Sequence, residues 1–353
     1  MEIYFILITI CITCSFFSRK KYYLIIFISM GILAALRAST VGTDTFMYNG
    51  IYNGVNSDQF SWEYYDKTLT EIGNRILMVI ACYIFDNSQG YIAISSIIMF
   101  SMFGVFFYKC STNKYKFVLP MLFIGLNYYA FSMNGMRQSI GISIGLFSYL
   151  YIKKRLYVKS CIPILIGSLF HLSTLLFAAY IPMIILLRKI KNIYKNNVKC
   201  LIVFCLIEVV GIYYMYHLFL GNALILGEKY AEYAVNQFSY ATGGGLSMIA
   251  ICIIICTVCY LIEKNNDEAL ILSFYTMQYV IFSVATSMMM AIIYRVTVMF
   301  YPFVFLLVYN YISSQNNQML KVFLLVVCIL MSFLNLYYHM PEDVIPYRVF
   351  FEV

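Results

Sequence analysis

Charge is what this chain has least of. Only 11% of its 353 residues are Asp, Glu, Lys or Arg, and it contains three histidines and one tryptophan. No stretch is polar enough to form a separate soluble domain, and the net charge of +8 does not indicate nucleic-acid binding in such a chain. Each ionisable residue inside or beside an apolar segment is therefore a candidate functional residue, because placing it there costs about a few kcal/mol.

Continuous apolar runs make up most of the chain, since 62% of its residues are hydrophobic. In lipid only helices and closed barrels satisfy their backbone polar groups, and barrels show short alternating segments rather than continuous runs. We therefore predict an all-α fold: one polytopic integral membrane domain over residues 1–353, with about 12 transmembrane helices (about 11–13). The candidate spans are 3–17, 22–36, 72–85, 91–108, 117–131, 138–152, 158–170, 172–187, 198–220, 246–261, 269–288, 296–312 and 320–338.

The cysteines give no disulfide framework and no metal site. Most of the 11 lie within apolar runs. Cys11-x-x-Cys14 and Cys256-x-x-Cys259 have the spacing of redox or metal motifs, but no His or Asp flanks either pair, and both lie in apolar helices. We interpret them as small apolar packing residues and expect neither a metal nor a cofactor.

The basic clusters predict the orientation of the chain in the membrane. They are Arg19 to Lys21, Lys109 to Lys116, Lys153 to Arg155, and Arg188 to Lys199. The positive-inside rule assigns them to the cytoplasm. The segments expected outside are 132–137, 169–173, 221–246, 290–295 and the tail after Tyr338.

This orientation requires an odd number of crossings between Leu36 and Lys109, where two apolar runs occur. We predict that the short run 72–85 is re-entrant or interfacial. The segment 37–71 is then a long outer loop that rests on the membrane interface, where its tryptophan, Trp62, belongs. The segment 221–246 is predicted as a second outer loop.

Five polar residues are expected at the outer face: Arg37, Asp44, Arg137, His171 and Arg295. Arg37 stands where the second helix leaves the membrane, and Asp44 and Thr45 are positioned to start the next helix after Gly42. A helix end with a snorkelling arginine and a capping aspartate is the alternative interpretation of this segment.

Arg137 and Gln138 open a helix after a short loop that contains Asn134. A helix N-terminus that carries an arginine is an anion site by geometry, although a helix cap or a lipid headgroup contact remains the alternative. Glycines 141 and 145 give this helix a small-residue face that another helix can approach closely.

His171 falls at a break between two short apolar runs, where an imidazole is placed to exchange a proton near neutral pH. A hydrogen bond to a backbone carbonyl is its alternative role. Arg295 starts a later helix from the outer side and is a natural second cation for a diphosphate.

In this order and spacing, these motifs resemble the EpsG family of bacterial exopolysaccharide proteins, which is related in role to Wzy-type O-antigen and capsule polymerases. The resemblance spans about residues 37–347, with Met136 where leucine is expected and Gly141 where alanine is commoner. Its segments run from Arg37 through Gly42-Thr43-Asp44-Thr45 to Tyr48, from Asn134 to Gln138, from Phe170 through His171 to Ser173, and over Pro346-Tyr347.

The resemblance implies a GT-C-like multi-helix fold in the bacterial cytoplasmic membrane and a polymerase that faces the outside. Such an enzyme joins oligosaccharide repeat units carried on undecaprenyl diphosphate, with release of the lipid diphosphate. Its partners would be the lipid-linked oligosaccharide, the bilayer, and the flippase and chain-length regulator of the same pathway.

The residue chemistry is compatible with that reaction. Arg137 and Arg295, assisted by Arg37, can neutralise the diphosphate leaving group without a metal. His171 is the first choice and Asp44 the second for a base, while Gln138, Asn134, Thr45 and Tyr48 are supporting residues.

Two alternative functions stay open at this stage. A flippase or exporter of the same lipid-linked sugar would need polar residues through the helix midplane, where the only charge is Glu208. A membrane O-acyltransferase that modifies the polymer would need a histidine with an acidic partner, for which His171 and Asp44 are candidates.

Overall fold

In the computed structural model, the protein is described over residues 2–17, 21–56, 71–85, 87–112, 114–222, 245–288, 291–338, 344 and 347–352. These residues are helical apart from turns, short connections and one isolated bridge. The α-helices are α1 Glu2–Phe17, α2 Tyr22–Ala35, α3 Thr43–Asn56, α4 Ile72–Phe85, α5 Ser88–Cys110, α6 Val118–Gly125, α7 Tyr128–Asn134, α8 Met136–Gly145, α9 Phe147–Lys153, α10 Tyr157–Ser168, α11 Leu176–Tyr194, α12 Asn197–Asn222, α13 Gly245–Glu263, α14 Asp267–Met288, α15 Ala291–Thr297, α16 Tyr301–Ser314 and α17 Gln318–Tyr338. Short 3₁₀ helices occupy Leu172–Leu175, Val298–Phe300 and Phe350–Glu352.

The predicted all-α membrane fold is confirmed. Within the described ranges, five helical segments are long and apolar enough to cross a membrane: Ser88–Cys110, Leu172–Tyr194, Asp267–Thr286, Tyr294–Ser314 and Gln318–Tyr338. Shorter apolar helices cover Ile3–Ser15, Tyr22–Ala35, Ile72–Phe85, Tyr157–Ser168 and Ile249–Glu263. Every predicted span falls on helical structure, while the count of about 12 crossings stays a prediction.

The chain divides into two compact units. The first comprises Met1–Ala179 together with Ile312–Val353, and the second comprises Tyr180–Tyr311. The single domain over 1–353 stays a prediction. All of the motif segments that precede residue 180 lie in the first unit.

The first unit is built around α2 and α5, which pack along each other. Two glycines allow this close approach: a Cβ added at Gly31 would lie 3.2 Å from the Phe100 Cβ, and one at Gly104 would lie 2.9 Å from the Phe27 Cβ. Phe27 and Phe100 both also contact the ring of Phe123 on α6 edge to face, at 5.1 and 6.0 Å between centroids. Buried aromatic rings therefore form the core between α2, α5 and α6.

Two predicted spans are each interrupted near their middle. The segment 117–131 breaks into α6 and α7 at Asn127, which has a left-handed backbone with φ of 61°. Asn335 on α17 donates to the Gly125 carbonyl at 2.9 Å and so satisfies a group that the break sets free. The segment 138–152 breaks into α8 and α9 at Leu146.

The predicted first outer loop, 37–71, contains a helix of its own. This helix, α3, begins at Thr43 and is amphipathic in composition, with Asp44 in its first turn. Helix α4 has only 14 residues, about 21 Å at the usual rise, which is less than the hydrocarbon core of about 30 Å. That this segment is re-entrant or interfacial stays a prediction. Trp62 and most of the second predicted outer loop, 223–244, lie outside the described residues.

The predicted small-residue face of α8 is confirmed. A Cβ added at Gly141 would lie 2.9 Å from the Gly167 carbonyl oxygen of α10, and one at Gly145 would lie 2.8 Å from the Phe177 ring. The backbones of α8 and α10 therefore approach more closely than side chains would permit.

Residues near the two ends of the sequence pair next to α2. Arg37 forms an isolated antiparallel bridge with Val349. The Ala38 N–H donates to the Arg348 carbonyl and the Phe350 N–H to the Leu36 carbonyl, both at 2.9 Å. The Tyr347 hydroxyl also donates to the Leu33 carbonyl. The segment 347–350 thus belongs to the structure that surrounds Arg37.

Aromatic stacking and polar contacts between helices hold the second unit together. Tyr275 stacks on Phe303 at 4.4 Å between ring centroids. Gln278 on α14 donates to the carboxylate of Glu208 on α12 at 2.7 Å. At another point, both carboxylate oxygens of Asp267 accept hydrogen bonds from Arg188.

Candidate functional site

Arg137 lies in the first turn of α8 and pairs with a carboxylate that the sequence analysis did not single out. Its Nη1 donates to the Glu71 Oε2 at 2.9 Å, and the side chains are 22% and 17% exposed. Glu71 directly precedes α4. The ion pair is thus partly screened from water while both groups keep an accessible edge, as a site for a charged ligand requires.

Tyr48 on α3 packs beneath the guanidinium of Arg137. The Arg137 Cζ lies 5.9 Å from the Tyr48 ring centroid, within the range of a cation–π contact. The Tyr48 hydroxyl donates to the Asn134 carbonyl at 3.3 Å. Burial raises the pKa of Tyr48, so its hydroxyl stays protonated. For Arg137, burial lowers the pKa but the electrostatic effects of Tyr48 and Glu71 outweigh it, and the net shift is upward.

The start of α3 brings Asp44 and Thr45 to this region. Asp44 lies one helical turn before Tyr48 and interacts with it electrostatically. Gly42 precedes the helix with φ of +92°, and a Cβ at that position would collide with the Asn134 side chain. Glycine is therefore required both by the backbone conformation and by the closeness of α3 to Asn134.

Arg37 is fully buried, and its hydrogen-bond acceptors within the described ranges are all neutral. Nη1 donates to the Ala34 carbonyl at 2.6 Å and to the Ser96 hydroxyl at 3.0 Å. Nε donates to the Thr45 hydroxyl at 3.3 Å, and Thr45 in turn donates to the Val41 carbonyl. Nη2 donates to the Met133 carbonyl at 3.3 Å and to the sulfur of Met136 at 3.6 Å.

This arrangement makes Arg37 a connector between helices. Its partners belong to α2, to the start of α3, to α5, and to α7 and α8 on either side of Gly135. Burial lowers the pKa of Arg37. The guanidinium bonds to the Met133 carbonyl and to the sulfur of Met136, the residue directly before Arg137. It therefore fixes the start of α8.

His171 caps the 3₁₀ helix that follows α10. Its Nδ1 accepts a hydrogen bond from the Ser173 backbone N–H at 3.3 Å and lies 2.7 Å from the Ser173 hydroxyl. The preceding loop is fixed to α4, because the Gly73 N–H donates to the Leu169 carbonyl and Asn74 donates to the Phe170 carbonyl, both at 2.7 Å.

The His171 loop therefore lies beside both partners of the ion pair. It is attached to the first turn of α4, directly after Glu71. A Cβ at Gly141 would lie 3.3 Å from the His171 Cβ, and Gly141 is one turn along α8 from Arg137. Positions four residues apart share one face of a helix, so the His171 Cβ lies against the face of α8 that also carries Arg137.

Several buried polar atoms around Arg137 have no hydrogen-bond partner among the described residues. They are the Arg137 Nε, the Asn134 Oδ1, the Ser139 hydroxyl, the Asn74 Oδ1 and the Thr174 hydroxyl. Gln138, also predicted as a supporting residue, is buried. Unsatisfied polar atoms in a buried region are costly unless a ligand or water completes their bonds, so they mark a place for a polar ligand.

Arg295 lies in the second unit. It is exposed, in the last turn of α15. Its predicted contact with the diphosphate stays a prediction, whereas Arg37, Asp44, Thr45, Tyr48, Asn134, Arg137, Gln138 and His171 all lie in the first unit.

The structure thus brings together the three motif segments that the sequence places at 37–48, 134–138 and 170–173. We refer to Arg137, Glu71, Asp44, Tyr48 and His171 as the Arg137 site. Glu71 was missed because nothing in its spacing separates it from other acidic residues of the 37–71 segment. Only its pairing with Arg137, 66 residues away in sequence, identifies it.

Comparison with known proteins gives a family. The model of the EpsG family matches residues 20–349, nearly the whole chain. No curated protein and no solved structure matches.

Proposed function

Because the chain belongs to the EpsG family, which is associated with polysaccharide polymerase activity, we propose that it polymerises undecaprenyl-diphosphate-linked oligosaccharide repeat units. The product is an O-antigen, capsular or exopolysaccharide chain. The observation that carries the proposal is the Arg137 site: a partly exposed arginine, with carboxylates and a histidine beside it, in a protein that otherwise avoids charge.

In the proposed reaction a hydroxyl of the incoming repeat unit attacks the anomeric carbon of the growing chain. The bond from that carbon to the phosphate oxygen breaks, and its electron pair leaves with the lipid diphosphate. Arg137 stabilises the negative charge that develops on the leaving group, since a guanidinium can hold two phosphate oxygens in its plane. Its Nε is a buried donor without a hydrogen-bond partner among the described residues.

We assign supporting roles to the other candidate residues. Arg37 acts as a positioning residue, because its guanidinium is buried and holds the start of α8. Tyr48, Thr45, Asn134 and Gln138 maintain the shape of the site, and Arg295 is proposed as the second cation. The acceptor hydroxyl also needs a base, for which the sequence proposes His171 first and Asp44 second.

The proposed place of action is the outer face of the cytoplasmic membrane, after the substrate has crossed. Support comes from the positions of the ionisable groups: the site is built on helix ends and connections rather than on the middle of long spans. A flippase would require polar groups along the path through the membrane.

Deletion of the gene tests this proposal. A strain without the protein should display single repeat units on the outer side, still attached to the terminal acceptor of the cell, in place of the long glycan ladder on a gel. Accumulation of lipid-linked units on the cytoplasmic leaflet would refute the polymerase and indicate a flippase. Complementation with the wild-type chain is the control and should restore the ladder.

A further inference from the structure

We propose that Glu71 is the general base that takes the proton from the acceptor hydroxyl. This assignment rests on the proposed polymerase reaction and gives one step of that reaction to a residue outside the recognised motifs. It replaces both residues that the sequence suggested for this role.

The first argument is the position of Glu71. Its Oε2 lies 2.9 Å from the Arg137 Nη1, so one guanidinium connects the carboxylate to the place proposed for the diphosphate. The Arg137 Nε, on another edge of the same planar group, is a buried donor without a partner among the described residues, which a bound phosphate would satisfy. A phosphate bound there lies one guanidinium width from Glu71, and the anomeric carbon that carries this phosphate is brought close to the carboxylate.

The second argument is the hydrogen bonding of His171. The Ser173 backbone N–H points at Nδ1, and an N–H can only donate, so Nδ1 acts as an acceptor. A neutral imidazole with an acceptor at Nδ1 carries its proton on Nε2. His171 is therefore set up as a hydrogen-bond donor through Nε2 and would have to give up its cap on the 3₁₀ helix to serve as a base.

The third argument is the difference between the carboxylates of the Arg137 site. Asp44 is connected to the site through Tyr48, one helical turn away, whereas Glu71 contacts Arg137 itself. The loop that carries His171 is hydrogen-bonded to Gly73 and Asn74, which follow shortly after Glu71 in the sequence. Glu71 thus contacts Arg137 directly and immediately precedes the helical turn to which the His171 loop is bonded.

Donor binding would activate this base. In the structure the Glu71 carboxylate is stabilised by Arg137. A diphosphate that shares the guanidinium brings negative charge next to Glu71, and like charges favour the uptake of a proton by the carboxylate. The acceptor O–H bond then breaks with transfer of the proton to Glu71, the new C–O bond forms, and the diphosphate leaves with the electron pair of the broken bond.

The pH dependence of the rate follows from the groups around Glu71. Those that the structure places around it are Arg137 on α8, Tyr48 and Asp44 on α3, Tyr91 on α5, Arg75 on α4 and His171. The net pKa shift of Arg137 is upward, and burial raises the pKa of Tyr48, so neither group titrates at acidic pH. At acidic pH, the rate with Glu71 as base should fall in proportion to its unprotonated fraction.

The test uses the full chain in lipid nanodiscs, with lipid-linked repeat units isolated from the deletion strain as substrate. Initial rates of polymer formation are measured across acidic to neutral pH for the wild type and for Glu71→Gln, His171→Gln and Glu263→Gln. Glu263 is an exposed carboxylate of the second unit and serves as the matched control. Binding of undecaprenyl diphosphate and thermal unfolding are measured on the same samples.

With Glu71 as the base, Glu71→Gln lowers the rate about 10²–10⁴-fold and removes the rise of the rate with pH. Undecaprenyl diphosphate still binds, because the glutamine oxygen can accept the hydrogen bond from Arg137. His171→Gln retains part of the activity and the wild-type pH profile, since the glutamine amide can replace the Nε2 donor.

Two results would overturn the assignment while leaving the polymerase intact. One is a Glu71→Gln variant that keeps the wild-type pH profile and loses only affinity for undecaprenyl diphosphate, because that outcome makes Glu71 a positioning residue for Arg137. The other is a His171→Gln variant whose rate of polymer formation no longer rises with pH. If the wild type itself forms no polymer from these units, the proposed function fails instead.

Discussion

Arg137→Lys keeps the positive charge at the centre of the Arg137 site but removes the planar group that carries it. In the wild type, Nη1 is engaged by Glu71 at 2.9 Å while Nε has no partner among the described residues. The guanidinium can thus bind Glu71 on one edge and a phosphate on another. A lysine ammonium is a single point charge and cannot hold both groups in this fixed geometry.

The expected cost is that of one preorganised donor to the leaving group. Such a loss amounts to about 3–4 kcal/mol, or about 10²–10³-fold in rate. Stability should change little, because the ion pair with Glu71 is partly exposed and lysine can retain a weaker form of it. The variant should therefore insert and unfold like the wild type but form only short glycans.

The assay compares glycan ladders from complemented deletion strains and initial rates in nanodiscs. Arg155→Lys is the matched control, since Arg155 is an exposed arginine in the connection between α9 and α10. Polymer of normal length at the wild-type rate in Arg137→Lys would refute the reasoning. Arg137 would then be an anchor for a lipid headgroup.

Two further predictions concern the local backbone and the topology. Gly42→Ala should lower the midpoint of thermal unfolding, with a loss of about 1–3 kcal/mol in the free energy of unfolding. The reason is that Gly42 has φ of +92° and an added Cβ would meet the Asn134 side chain. Gly50→Ala is the control and should not lower the midpoint, because nothing lies within 4 Å of its added Cβ. Equal midpoints for the two variants would contradict this account. A reporter fused after Lys191 should be cytoplasmic and one fused after Gly244 external. A cytoplasmic signal from the second fusion would mean that the predicted orientation of every later helix is reversed.

The helices of this protein were largely predictable from the sequence, because in a membrane the apolar runs themselves determine where helices form. The interruptions inside those runs were not. Asn127 and its left-handed backbone lie in an apolar segment, and the bond from Asn335 that compensates the break comes from a helix about 200 residues later in the sequence. Hydropathy carries no information about such a contact.

The candidate site shows the same division. Arg137, His171 and Asp44 stand out because each is a rare ionisable residue in a conspicuous local pattern. Glu71 belongs to an acidic segment in which several carboxylates look equivalent, and only tertiary packing selects it. The contacts of Arg37 were also beyond local inference, since its acceptors come from several helices and include backbone carbonyls, which carry no sequence signal.

The pairing of residues 36–38 with 348–350 has a consequence for how the protein is made. Leu33 and Tyr347 are separated by 314 residues, so the segment next to Arg37 leaves the ribosome long before its partner strand exists. Throughout synthesis the Ala38 N–H and the Leu36 carbonyl must be satisfied by water or lipid headgroups. A chain interrupted by a premature stop codon after residue 338 would retain every apolar helix, yet it would lack the last contacts around Arg37.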